Sequence, residues 1–97
     1  MGNVKSFLKK LKVLYVEDDE STRNVFGKFL SKKFETTISC INGFDGYNEY
    51  IKAKHDKSPF DIIISDINMP KIDGIEFLEK IRELDKKIPF IFTTART

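Results

Sequence analysis

The feature that most constrains this chain is the run Phe60-Asp61-Ile62-Ile63-Ile64-Ser65-Asp66. Three consecutive isoleucines behind a phenylalanine are β-branched and almost wholly apolar. Such a run suits a strand buried on both faces, as in the middle of a parallel sheet. It stops at Asp66, and Pro70 and Gly74 then bracket a loop ahead of a helical pattern. In open α/β sheets the chemistry lies just beyond the carboxyl ends of the strands, where Asp66 stands.

The rest of the chain alternates strand and helix around that run. Lys12 to Val16 reads as a first strand and leads directly into Glu17-Asp18-Asp19-Glu20. Ser21 is the expected cap of a helix whose buried stripe is Val25, Phe26, Phe29 and Leu30. Glu35 to Cys40, β-branched and polar, suits an edge strand. Gly43 to Lys54 is a second helix with Tyr47 and Ile51 one turn apart; Gly46 lowers its propensity and so points to close packing there. After the central strand at 60–66, Ile75, Leu78, Ile81 and Leu84 mark a third helix, with Lys86-Lys87 at its favourable dipole end. Ile88 to Thr94 is a fourth strand, with Pro89 at its entry. Short connections and right-handed crossovers turn this order into a doubly wound parallel sheet. Residues 1–11 form a short, basic, amphipathic lead-in, with Val4, Phe7, Leu8 and Leu11 at i, i+3, i+4 and i+7. Its opening, Met1-Gly2-Asn3-Val4-Lys5-Ser6, matches the myristoylation pattern, a match short enough to arise by chance.

Composition narrows the function classes. A chain of 97 residues holds one small domain. A net charge of +2, with Lys9, Lys10 and Lys12, Lys32 and Lys33, and Lys86 and Lys87 set among acids, describes a solvated surface rather than a nucleic-acid stripe. No apolar run approaches the roughly 18 residues needed to span a membrane, and no signal-peptide core opens the chain. A lone Cys40 fits a reduced cytosol, so a cytoplasmic location is expected. His55 lacks partners at metal-ligand spacing.

Carboxylates carry the chemistry. Glu17 and Asp18 end the first strand and Asp66 the third; where those strands are neighbours, all three enter one crevice. Packed carboxylates resist ionisation beside one another, so the arrangement makes sense around a hard cation. Mg²⁺ takes oxygen ligands and keeps several waters, so one or two carboxylates and a carbonyl suffice. Thr94 adds a hydroxyl at the end of the fourth strand.

Val13-Leu14-Tyr15-Val16-Glu17-Asp18-Asp19, the block Asp61 to Pro70 with Gly74, and Phe92-Thr93-Thr94-Ala95 together resemble the receiver domains of bacterial two-component response regulators. The resemblance runs the length of the chain. It implies a flavodoxin-like sheet of strand order 2-1-3-4. It implies that a sensor histidine kinase or phosphotransfer protein places a phosphoryl group on Asp66. Asp18, Asp66 and the backbone carbonyl of Asn68 would coordinate Mg²⁺, with Glu17 reaching it through water. Thr94 and Ala95 would contact the phosphoryl group and report its arrival, and Pro70 and Gly74 would shape the loop. Members of the family continue with a further helix, a fifth strand followed by a phosphoryl-contacting lysine, and a last helix. The sequence stops at Thr97, so a C-terminally incomplete receiver over 1–97 is expected, self-associating through the open edge of its fourth strand.

Three other readings compete with this one. Phosphatases of the haloacid-dehalogenase type also use a strand-end aspartate with Mg²⁺, but need a second aspartate two residues on, where this chain has Asn68. A calcium loop starting at Asp66 fails because Pro70 and Lys71 occupy positions that need a ligand and a glycine. A receiver-like interaction module not regulated by phosphorylation is the remaining alternative.

Overall fold

The computed structural model describes residues 4–93. Four strands, β1 (Lys12–Val16), β2 (Thr36–Cys40), β3 (Ile62–Asp66) and β4 (Phe90–Thr93), alternate with helices α2 (Glu20–Lys33), α3 (Gly43–His55) and α4 (Gly74–Leu84); a short helix α1 (Val4–Leu8) precedes them. All strand pairs are parallel and the order is β2-β1-β3-β4. This is the flavodoxin-like order expected. β1 and β3 are central, and their side chains are buried accordingly: Val13, Leu14, Tyr15 and Val16 on one, Ile63, Ile64, Ser65 and Asp66 on the other. The chain leaves β1 towards β2 and returns to β1's other side as β3, so the direction of winding reverses between β1 and β3. A crevice opens at the carboxyl ends of strands at such a reversal.

Alternation along the strands sends side chains to two layers. On one face Val13, Tyr15 and Ile64 meet Leu30 and Phe34, with Leu8, Leu11 and Phe26 packed against them. On the other, Leu14, Val16 and Ile63 meet Tyr50 and Ala53 of α3 and Phe77 and Ile81 of α4. Phe77 and Ile81 have no exposed surface, and burial of each such side chain is worth about 1.5–3 kcal/mol.

The strands stand nearly where the sequence put them, but the helix faces do not. α2 starts at Glu20 and its cap is Asp19, whose carboxylate accepts from the Thr22 N–H at 2.9 Å, so Ser21 is not the cap. Of the expected stripe, Leu30 is buried and Phe26 half-buried, whereas Val25 is 73% exposed and Phe29 51%. On α3 the buried face is Gly43, Gly46, Tyr50 and Ala53; Tyr47 only flanks it and Ile51 is exposed. On α4 it is Gly74, Phe77 and Ile81, with Leu78 half-buried and Ile75 and Leu84 exposed. On α3 and α4 glycines let the helix come close to its neighbours, and that contact chooses the face. Gly46 shows the effect: a Cβ there would lie 2.8 Å from Val16 Cγ2 and 3.0 Å from Phe77 Cζ, which bears out the close packing expected.

The end of α4 differs as well. The helix stops at Leu84, and Asp85 rather than Lys86-Lys87 organises its exit, accepting from the N–H groups of Lys87 and Ile88 and from the Tyr50 hydroxyl. β4 begins at Phe90, two residues later than expected, with Ile88 buried ahead of it. No helix among the described residues is long and apolar enough to cross a membrane.

Candidate functional site

The site is built where β1 and β3 end side by side. Their register pairs Val16 with Ser65, so the residues that follow, Glu17 and Asp18 on one strand and Asp66 on the other, enter the same crevice. One carboxylate oxygen from each of Glu17, Asp18 and Asp66 lies within 4.8 Å of the others. Glu17 is 1% exposed and Asp66 2%, while Asp18 is half-buried.

Local bonds sort the four consecutive acids after β1. Asp19 is turned away to cap α2, accepting from both the N–H and the hydroxyl of Thr22. Its own N–H donates to Glu17 Oε2 at 3.1 Å. Glu17 Oε1 is buried with no hydrogen-bond partner among the described residues. Burial, foremost, raises the Glu17 carboxyl to about 7; the Asp19 N–H opposes this, and the charges of Asp66 and Asp18 add to it. The repulsion expected from sequence is present, but desolvation outweighs it. Arg23 completes the loop from behind: its Nη1 donates to the carbonyl of Glu17 at 2.9 Å and that of Asp18 at 3.3 Å. Sequence reading missed both Asp19 as cap and Arg23 as clamp. The Asp19-x-x-Thr22 spacing was the available signal for the first; nothing local announces the second.

The loop after Asp66 folds tightly against the strand end. Gly74 N–H donates to the Ile67 carbonyl at 2.8 Å, closing it, and Asp73 caps α4 by accepting from Glu76 N–H. Met69 is buried in the core, while Asn68 and Pro70 are exposed. Lys71 sits at φ 66°, a left-handed conformation that costs a non-glycine residue about 1 kcal/mol or more. Thr93, the β4 partner of Asp66, has a buried hydroxyl oxygen without a hydrogen-bond partner among the described residues. Thr94 and Ala95 lie outside the described residues. His55 is exposed beside Asp56, remote from the acids, and Cys40 is buried with its thiol pushed up to about 12 by that burial.

All three carboxylates are hard oxygen donors, and Glu17 brings a buried oxygen that lacks a hydrogen-bond partner among the described residues. That donor set fits a magnesium-like cation and not a soft metal.

A family model described as the response regulator receiver domain matches residues 13–97. The chain belongs to the response regulator receiver family. It is thus a two-component signalling domain. This receiver is similar to the probable transcriptional regulator ycf29 of Porphyra purpurea, with 40% identity over 86 residues, 87% of this chain and 39% of that protein. It is also similar to the chemotaxis protein CheY of Treponema pallidum, with 38% identity over 86 residues, 87% of this chain and 57% of that protein. The chain therefore spans well under two thirds of these curated relatives. Among solved structures it resembles the receiver domain of the histidine kinase CKI1 from Arabidopsis thaliana complexed with Mg²⁺ and BeF₃⁻, at TM-score 0.80 and 26% identity, covering 97% of this chain and 72% of that one. The CheY of a CheX–CheY–BeF₃–Mg²⁺ complex from Borrelia burgdorferi matches at TM-score 0.72 and 33% identity, covering 89% and 63%.

Proposed function

We propose that this receiver accepts a phosphoryl group on Asp66 from the phosphohistidine of a sensor kinase or phosphotransfer protein. The observation that carries the reading is the grouping of Glu17, Asp18 and Asp66 within 4.8 Å at the reversal of the sheet. A carboxylate oxygen of Asp66 forms the new P–O bond as the donor's P–N bond breaks, and the imidazole nitrogen leaves with the bonding pair. Three converging carboxylates repel an incoming phosphoryl group, so the transfer calls for a cation between them. Asp18, Asp66 and the Asn68 carbonyl would hold Mg²⁺, with Glu17 reaching it through water; when bound, it neutralises charge on the phosphoryl oxygens. The Mg²⁺ and BeF₃⁻ bound by the similar CKI1 receiver support this assignment.

Thr94 and Ala95 are assigned to the phosphoryl group, and Pro70 and Gly74 to the shape of the loop. Residues 1–97 are read as one receiver domain with residues 1–11 as its lead-in, working in the cytoplasm as a phosphoacceptor and not as an enzyme that turns over a substrate.

The test is incubation with a small phosphodonor, phosphoramidate or acetyl phosphate, with and without Mg²⁺. A base-labile mass increase of one phosphate is expected, dependent on Mg²⁺ and lost in Asp66→Asn. No adduct, or an adduct that survives Asp66→Asn, rejects the reading.

A further inference from the structure

We propose that Arg23 is a positioning residue that sets the cation-binding orientation of Asp18. The proposal rests on the reading of the acidic cluster as a Mg²⁺ site and adds to it the element that holds the site open before a cation arrives.

Two peptide planes flank the Cα of Asp18, and their orientations decide where its carboxylate points. The first contains the Glu17 carbonyl and the second the Asp18 carbonyl. Both carbonyls accept from the same guanidinium nitrogen, Arg23 Nη1, at 2.9 and 3.3 Å. The other sides of the structure are anchored too. Glu17 N–H donates to the Cys40 carbonyl at 3.0 Å, continuing the β1–β2 ladder one residue past β1. Asp19 N–H, on the second peptide, donates to Glu17 Oε2. The second peptide is therefore held on one side by Arg23 and on the other by a member of the acidic cluster.

Arg23 is well placed to hold this loop steadily. It is half-buried, and its backbone is fixed in the opening of α2 by an N–H bond to the Asp19 carbonyl at 2.8 Å. Its side chain doubles back over the helix N-terminus to the end of β1. Both bonds come from one guanidinium nitrogen, whose two hydrogens are fixed in the plane of the group and so present a set angle to the two carbonyls; an ammonium turns freely at the end of a flexible stem. Partners outside the ligand set that orient ligands in this way typically change metal affinity by about 10–100-fold when removed.

The sign of the effect separates positioning from simple electrostatics. Removing a positive charge beside a cation site tightens cation binding by Coulomb's law. Loss of positioning weakens it. The experiment titrates Mg²⁺ into the wild-type chain, Arg23→Met, Arg23→Lys and Lys28→Met, following amide NMR shifts, and records the metal-free melting temperature of each. Arg23→Met keeps the apolar stem without donors; Lys28→Met removes the same charge from an exposed site further along α2.

The expected result is Mg²⁺ affinity about tenfold weaker in Arg23→Met, intermediate in Arg23→Lys, and unchanged or slightly tighter in Lys28→Met. Equal or tighter binding by Arg23→Met overturns the proposal, as does equal weakening in Lys28→Met. A fall in metal-free melting temperature with unchanged affinity also overturns it, since the role is then structural. If Arg23→Met does not fold, wild-type affinity in a folded Arg23→Lys overturns it. A wild type that binds no Mg²⁺ rejects the cation site itself, a separate failure.

Discussion

A Cβ placed on Gly74 would lie 2.5 Å from the carbonyl oxygen of Asp66 and 2.8 Å from Ile67 Cα. The first residue of α4 thus abuts the backbone of the candidate phosphoacceptor, and only a hydrogen fits between them. Backbone cannot yield as a side-chain tip does. Gly74→Ala is expected to push the loop off the strand end and to cost about 1–3 kcal/mol, the usual range for overpacking. Urea denaturation measures it; a variant as stable as wild type would mean that α4 shifts freely along the sheet.

Glu17 should leave a signature in the pH dependence of stability without metal. Its folded carboxyl titrates near 7, raised above an ordinary value of 4.5. The native state therefore binds the extra proton between those values, so its stabilisation is full below pH 4.5 and is lost as pH rises through 7. The shift corresponds to at most about 3 kcal/mol. Wild type should lose stability relative to Glu17→Gln between pH 5 and pH 7.5; parallel profiles refute the assignment.

Millimolar Mg²⁺ should raise the melting temperature at neutral pH, because a ligand of the native state stabilises by mass action. Asp18→Asn removes one of three clustered carboxylates and should abolish most of the increment. An identical Mg²⁺ response in the variant would place the cation elsewhere.

A preparation of residues 1–97 should self-associate. Among the described residues no strand pairs with the outer side of β4, and Ile91 on it is 49% exposed. On α2, Val25 and Phe29 add exposed apolar area. Unpaired edges and apolar patches of this kind recruit other chains. Light scattering across a dilution series is expected to give a mass above 11.3 kDa; a strict monomer at all concentrations would disprove the expectation.

The strands and the acids at their ends were legible because a strand's local rules are strong. Three consecutive β-branched residues such as Ile62-Ile63-Ile64 have few other uses, and Ile63 and Ile64, facing opposite sides, are both buried. Glu17, Asp18 and Asp66 could be singled out because the first two follow such a run in succession and the third ends one. The faces of the helices were not legible. α2 offers Val25, Phe26, Phe29 and Leu30, and hydrophobicity alone does not say that Phe26 and Leu30 turn inward while Val25 and Phe29 stay in water. On α3 the buried face joins Tyr50 and Ala53 to Gly43 and Gly46, glycines whose value is their small size against a particular neighbour. The division of labour among Glu17, Asp18 and Asp19 also came only from the folded chain. Four adjacent acids are alike in sequence; Thr22 draws Asp19 away, burial raises Glu17, and Arg23, five residues beyond Asp18, grips the peptides between them. Local pattern determined what the elements are and which residue types stand at their ends. Tertiary packing decided which atoms meet, because closeness across a sheet depends on shape that no single segment contains.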